Sequence, residues 1–245
     1  MSNIEFDSEY DEDYKEWLEL EADLDRMLEE IEKEGELIDE LFELSEFLES
    51  QMEITENFIE SINRLKDIFL SEKNLSIRGF LFSNLISLYE GYVNKTISNL
   101  LHTKYHERTL IKMCSTTTKN DSKKIKNIKH SINKMRKKGA SYEDIIEYLT
   151  SRTLNDHNFV AQLFLLIGID FNTTLKIQEP TSKFTQKILE IRNSWIHRYG
   201  YLRHNSENQI NITDKDFRIV FLTIDRFVSE IIDETQSAIL KAYNL

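Results

Sequence analysis

The 245-residue chain holds one cysteine, one proline and six glycines. With Cys114 alone, no internal disulfide and no multi-cysteine zinc site can form, and a reduced, cytoplasmic setting is expected. So few turn formers exclude an all-β fold, whose many reversals consume Gly and Pro. No glycine cluster follows a strand-like run, so the Rossmann and P-loop fingerprints are both absent. The cleanest apolar run, residues 163–169, is too short to cross a bilayer, so no membrane association is expected. Residues 1–13 are acidic, the opposite of a secretory or mitochondrial leader. Long helices remain, and the fold class expected is all-α.

What the chain has in abundance is charge, unevenly spread. Lys and Arg number 31 against 43 Asp and Glu, a net of −12. Residues 1–50 hold 21 acidic and 3 basic residues, a net of −18, whereas residues 51–245 sum to +6. Within the latter, residues 102–138 carry 12 Lys or Arg against Glu107 and Asp121, a net of +10. The expected organisation is an acidic helical arm over 1–50 and a helical body over 51–245 that includes the basic segment 102–138. An acidic average of this kind does not exclude a nucleic-acid partner.

The arm is patterned. Trp17, Leu20, Leu24, Met27, Ile31, Ile38, Leu41 and Leu48 recur at alternating spacings of three and four, with Glu34 and Ser45 as mismatches. That is a heptad-like stripe on a Glu-rich helix, with Gly35 as the one place where it is expected to break or bend. Three roles fit it: a solvated helix packed along the body or its twin, a nucleic-acid mimic covering the basic surface, or a binding arm for a separate partner.

Along the body, helical periodicity runs over 51–71 and 77–105, with a break at 71–76. A polar loop is expected near 115–122 and a basic helix over 123–138, ended by Gly139. Ser141 with Asp144 reads as a capping box opening 142–151. Further helices are expected over 158–167, 183–199 and 214–242, with a polar loop at 203–213.

Chemistry concentrates in residues 187–204. At about 100° per residue, Phe184, Ile188, Ile191, Trp195 and Tyr199 share one stripe, expected to face the core. Asn193 and His197, at i and i+4, lie nearly opposite. Leu189 and Ile196 form a second apolar pair, which suggests a second burial surface and places Asn193 and His197 at a subunit seam. His102 and His106 also stand at i and i+4, but with no third metal ligand in view they are assigned to the basic surface.

The run Arg192-Asn193-x-x-x-His197 resembles the Arg-x(4–6)-His motif of the HEPN superfamily (higher eukaryotes and prokaryotes nucleotide-binding domains). Residues 78–95, with Leu88-Tyr89-Glu90-Gly91-Tyr92-Val93, and residues 155–170 are similar to segments of its RiboL-PSP and MAE-like branch. Arg198 departs from the family pattern, which often has a small residue after the histidine. The resemblance covers about 77–235 and leaves the acidic arm outside.

This resemblance implies a HEPN-like helical bundle with the arm as an addition. It implies a metal-independent endoribonuclease, without cofactor, that acts as a homodimer joined through the 183–199 helix. A toxin or effector role in antiphage defence or a toxin–antitoxin system follows, with the arm available to an antitoxin or defence partner. Carried over, His197 is the acid/base, Arg192 the transition-state stabiliser and Asn193 the group that orients a phosphate or the histidine. The chemistry is coherent. RNA supplies its own 2′-OH nucleophile, imidazole moves protons near neutral pH, and guanidinium matches crowded phosphate oxygens. RNA backbone contacts are expected from Lys123, Lys124, Lys126, Lys129, Lys134, Arg136, Lys137 and Lys138, with Arg198, Arg203 and His204 at the helix end. The alternative is a non-catalytic HEPN module that binds RNA, a nucleotide or a partner protein.

Overall fold

A computed structural model describes residues 8–116, 121–151, 157–171, 179–202 and 205–243. The chain is all-α, with one short hairpin among its described residues. It divides into two compact units, Met1–Leu48 and Glu49–Leu245.

The first unit is the leading part of helix α1 (Ser8–Ser71). Glu and Leu dominate this run, and proline is absent from it. These are strong helix formers, so the roughly 1 kcal/mol that Gly costs relative to Ala is absorbed. The helix therefore continues through Gly35 without interruption.

Among the described residues, the second unit contains the rest of α1 and seven further helices. Helix α2 (Leu75–Leu101) starts where the Asn74 side chain accepts the N–H groups of Ser76 and Ile77 at 2.9 and 3.2 Å. Its residues Phe82, Leu85, Tyr89, Val93, Ile97 and Leu100 are buried, making it the central helix of the bundle. Phe58 of α1 meets Tyr92 at 4.9 Å, and Phe69 stacks on Phe217 of α8 (Asp214–Ala242) at 3.9 Å. Arg78 ties α2 to the entry of α8: it bonds Asp214 at 2.5 Å and the Ile212 carbonyl at 3.1 Å.

The helix expected over 77–105 stops earlier, at Leu101. The stretch 77–105 is cut at Thr103, whose hydroxyl donates to the Leu100 carbonyl and accepts the His106 N–H. A separate helix α3 (Lys104–Ser115) follows. Helices α4 (Lys123–Lys137), α5 (Tyr142–Thr150) and α6 (His157–Leu166) complete this side. Ser122 caps α4, and Ser141 with Asp144 forms the capping box of α5. Gly139 ends the α4 segment at φ +79°, a left-handed conformation that glycine adopts without strain.

Helix α7 (Glu179–Arg198) packs on α2 and leads into a hairpin, β1 (Tyr201–Leu202) paired antiparallel with β2 (Asn205–Gln209). Only a polar loop was expected there. The polar segment Asn-Ser-Glu-Asn-Gln has no apolar alternation to announce a strand. Pairing is instead closed by backbone: the Ile210 N–H donates to the Gly200 carbonyl at 2.9 Å. Thr213 and Asp216 then form the capping box of α8.

Trp195 is the pivot of the α2–α7 contact. It is fully buried, and both glycines beside it are needed for its bulk. A Cβ on Gly79 would lie 2.0 Å from the indole, and one on Gly200 would lie 2.6 Å away. In an exposed helix Gly→Ala stabilises by up to about 1 kcal/mol. Here the sign reverses: Gly79→Ala is expected to destabilise by about 1–3 kcal/mol through overpacking. Equilibrium denaturation checks it, and a stabilised variant would refute the close α2–α7 approach.

Candidate active site on helix α7

Arg192 lies on the part of α7 that faces α2. Its Nη2 donates to Glu90 Oε2 at 3.1 Å, and Nη1 donates to Asn193 Oδ1 at 3.3 Å. The side chains of Arg192 and Glu90 are only 17% and 12% exposed. Arg192 Nε and Glu90 Oε1 are buried without a hydrogen-bond partner, so the pair is joined through one edge of each group. Burial pushes the Glu90 carboxyl above its ordinary range, and the facing Arg192 only partly offsets it.

Asn193 and His197 are both exposed, one turn apart on the solvent side of α7. Arg192 and Asn193 touch, whereas His197 makes no hydrogen bond to Arg192. A single chain thus presents an anchored guanidinium, an exposed amide and an exposed imidazole along six residues of one helix. That set can bind an anion and move a proton, and the imidazole is free to work on a group brought from outside.

The expected stripe of α7 holds in part. Trp195 is buried, while Ile188 and Ile191 are half-buried. Tyr199 departs from it and is 71% exposed. The helix ends at Arg198, and Tyr199 takes φ +52°, which turns its side chain off the helical stripe. The Gly200 N–H closes this end on the Ser194 carbonyl at 3.0 Å. Arg198 is exposed beside it. Arg203 and His204 lie outside the described residues.

Of the basic segment, Lys123, Lys124, Lys126, Lys134, Arg136, Lys137 and Lys138 are exposed on or just beyond α4. Lys124 sits 5.3 Å above the Phe159 ring. Lys129 is a correction. It is 3% exposed, and its Nζ donates to Asp121 at 2.9 Å and to the Thr116 carbonyl at 2.8 Å. A lysine committed to a buried pair cannot reach a phosphate. Ile125, Ile128 and Ile132 share its buried face. Helix α4 packs on α3 and α6, whereas α7 packs on α2 and β1, so the two candidate surfaces are built on different helices.

His106 is a second correction. It is 1% exposed, far from a surface role. Its Nδ1 lies 2.6 Å from the Ile167 carbonyl, which can only accept, so Nδ1 carries the proton. Desolvation lowers its basicity, and it serves as a neutral core residue that joins α3 to the turn after α6. His102 is exposed and bonded to the Ser98 carbonyl. Cys114 is buried, and its thiol is pushed up to about 11, which leaves it unreactive at neutral pH.

Among the described residues, no group of three or more His, Cys, Asp and Glu is placed to hold a metal ion, and no helix is long and apolar enough to cross a membrane. Comparison with protein-family models, with curated proteins and with solved structures finds no match to this chain.

Proposed function

We propose that the chain is a metal-independent endoribonuclease of the HEPN type, working in the cytoplasm as an effector of antiphage defence or a toxin–antitoxin system. The observation that carries this reading is the α7 constellation: Arg192 anchored by Glu90, with Asn193 and His197 exposed beside it. Two copies of α7 meeting would supply two imidazoles and two guanidinium groups. One His197 accepts the proton of the ribose 2′-OH as that oxygen attacks phosphorus. The other donates a proton to the leaving 5′-oxygen, so a 2′,3′-cyclic phosphate and a 5′-hydroxyl result. Arg192 stabilises the charge on the non-bridging oxygens. The exposed lysines of α4 and Arg198 would hold the RNA backbone through salt-sensitive contacts.

A second reading, a non-catalytic HEPN module, is favoured by one feature. The Arg192 guanidinium is already bonded to Glu90 and mostly covered, which limits its reach toward a reacting phosphate. Cleavage in EDTA separates the two. Wild type is expected to produce 2′,3′-cyclic ends from RNA and to leave DNA intact, and Arg192→Ala is expected to lose activity by at least about 100-fold. RNA binding without cleavage by either protein would favour the module.

A further inference from the structure

Helix α1 carries an apolar stripe that its own unit leaves bare. Trp17, Leu20, Leu24, Met27, Ile31 and Ile38 are 53–67% exposed. With Trp17 as position a, these fall on successive a and d positions, and Glu34 occupies the intervening d. Exposed apolar area of this length and regularity marks an interaction surface.

Charge decides what covers it. Residues 17–48 hold 13 acidic residues against Arg26 and Lys33. Arg26 is paired with Asp23, and Lys33 lies 3.9 Å from Glu29, so both bases are engaged on their own helix. A second copy laid parallel and in register would set Glu34 against Glu34 inside the seam. It would also bring two strongly acidic helices within a Debye length, about 10 Å at 0.1 M salt. The chain's own basic helix answers the charge but not the stripe, because its apolar face of Ile125, Ile128 and Ile132 is already buried. The fitting occupant has both an apolar a/d seam and Lys or Arg beside it.

We propose that residues 17–42 are a docking face for a basic amphipathic helix of a partner protein. The partner's a and d residues cover the stripe, its flanking bases meet the acidic rims, and one base stands opposite Glu34. The proposal stands whether or not α7 cleaves RNA.

The test uses the full chain and three synthetic four-heptad peptides. One has Ile and Leu at a and d with Lys at e and g; one has the same composition scrambled; one has Glu in place of Lys. Trp17 is the natural reporter, because the other tryptophan, Trp195, is already fully buried. The patterned basic peptide is expected to bind one per chain and shift tryptophan emission to the blue, and the other two to bind at least about tenfold more weakly. The double variant Leu24→Glu/Ile31→Glu, at exposed helical positions, is expected to keep its circular dichroism and lose at least about tenfold in affinity. This direction is diagnostic, since two added carboxylates attract a basic peptide more strongly by charge alone. Equal binding of the scrambled peptide, or unchanged affinity of the variant, would overturn the proposal. So would a sedimentation mass of the wild type that halves in the variant, which would assign the stripe to a second copy.

Discussion

His197→Ala is expected to lower the rate of RNA cleavage in EDTA by about 10²–10⁴-fold, the usual worth of a positioned acid or base. The fold is expected to survive. His197 is exposed, and surface substitutions away from special features change stability by about 0.5 kcal/mol or less. Activity and stability therefore separate at this position, as they do not at Trp195 two residues earlier, which is fully buried. The comparison needs matched unfolding curves and product-end analysis for wild type and variant. Substrate carrying a single 2′-deoxy nucleotide at the cut site provides a second check, because the proposed nucleophile is then missing. A His197→Ala protein that cuts at the wild-type rate, with RNase contamination excluded, would remove α7 from the chemistry while leaving the bundle intact.

Legibility in the sequence followed the strength of local signals. Helix α8 begins where Asp214 and Asp216 favour a start, and α5 begins at a capping box that the spacing of Ser141 and Asp144 already displays. These ends are set by side chains within four residues of the backbone they cap. The cut between α2 and α3 is local, made by the Thr103 hydroxyl on the Leu100 carbonyl and the His106 N–H, but no Gly or Pro marks it in the sequence. Lys129 is hidden for another reason: a lysine among surface lysines looks like them until Asp121 and the Thr116 carbonyl, 8 and 13 residues away, are placed beside it. Tyr199 leaves the stripe because the helix ends one residue before it and its own φ is positive, which helical periodicity does not signal. At the candidate site, the order Arg192-Asn193-x-x-x-His197 is a property of the chain, whereas for Glu90 the sequence leaves two places open, a pair with Arg192 or the solvent. Glu90 is 102 residues distant, and the α2–α7 contact, allowed by Gly79 under Trp195, brings the two together.

That long-range pair carries the other large expectation. Glu90→Ala leaves a mostly buried guanidinium with no carboxylate and is expected to cost about 1–3 kcal/mol in chemical denaturation at pH 7. Glu90→Gln keeps the shape and one acceptor, so its cost is smaller. The pH dependence has a definite sign. Because burial raises the Glu90 carboxyl above its ordinary value, the folded state binds this proton more tightly than the unfolded state does. The resulting stabilisation is fully present below the ordinary carboxylate value. It is lost as pH rises from that value through the raised one. Wild type should therefore gain stability relative to Glu90→Gln between pH 7 and mildly acidic pH, where the glutamine cannot titrate. A relative loss over the same interval would mean that attraction to Arg192 outweighs desolvation. In the proposed cleavage reaction Glu90 would act through Arg192 without touching substrate, which makes it a positioning residue. Its removal is expected to lower kcat more than it raises KM, because a guanidinium free to wander still attracts RNA but spends less time where charge develops on the phosphate. Glu90→Gln, which still fixes one edge of the guanidinium, should recover part of the lost kcat; equal losses for both variants would limit Glu90 to holding α2 and α7 together.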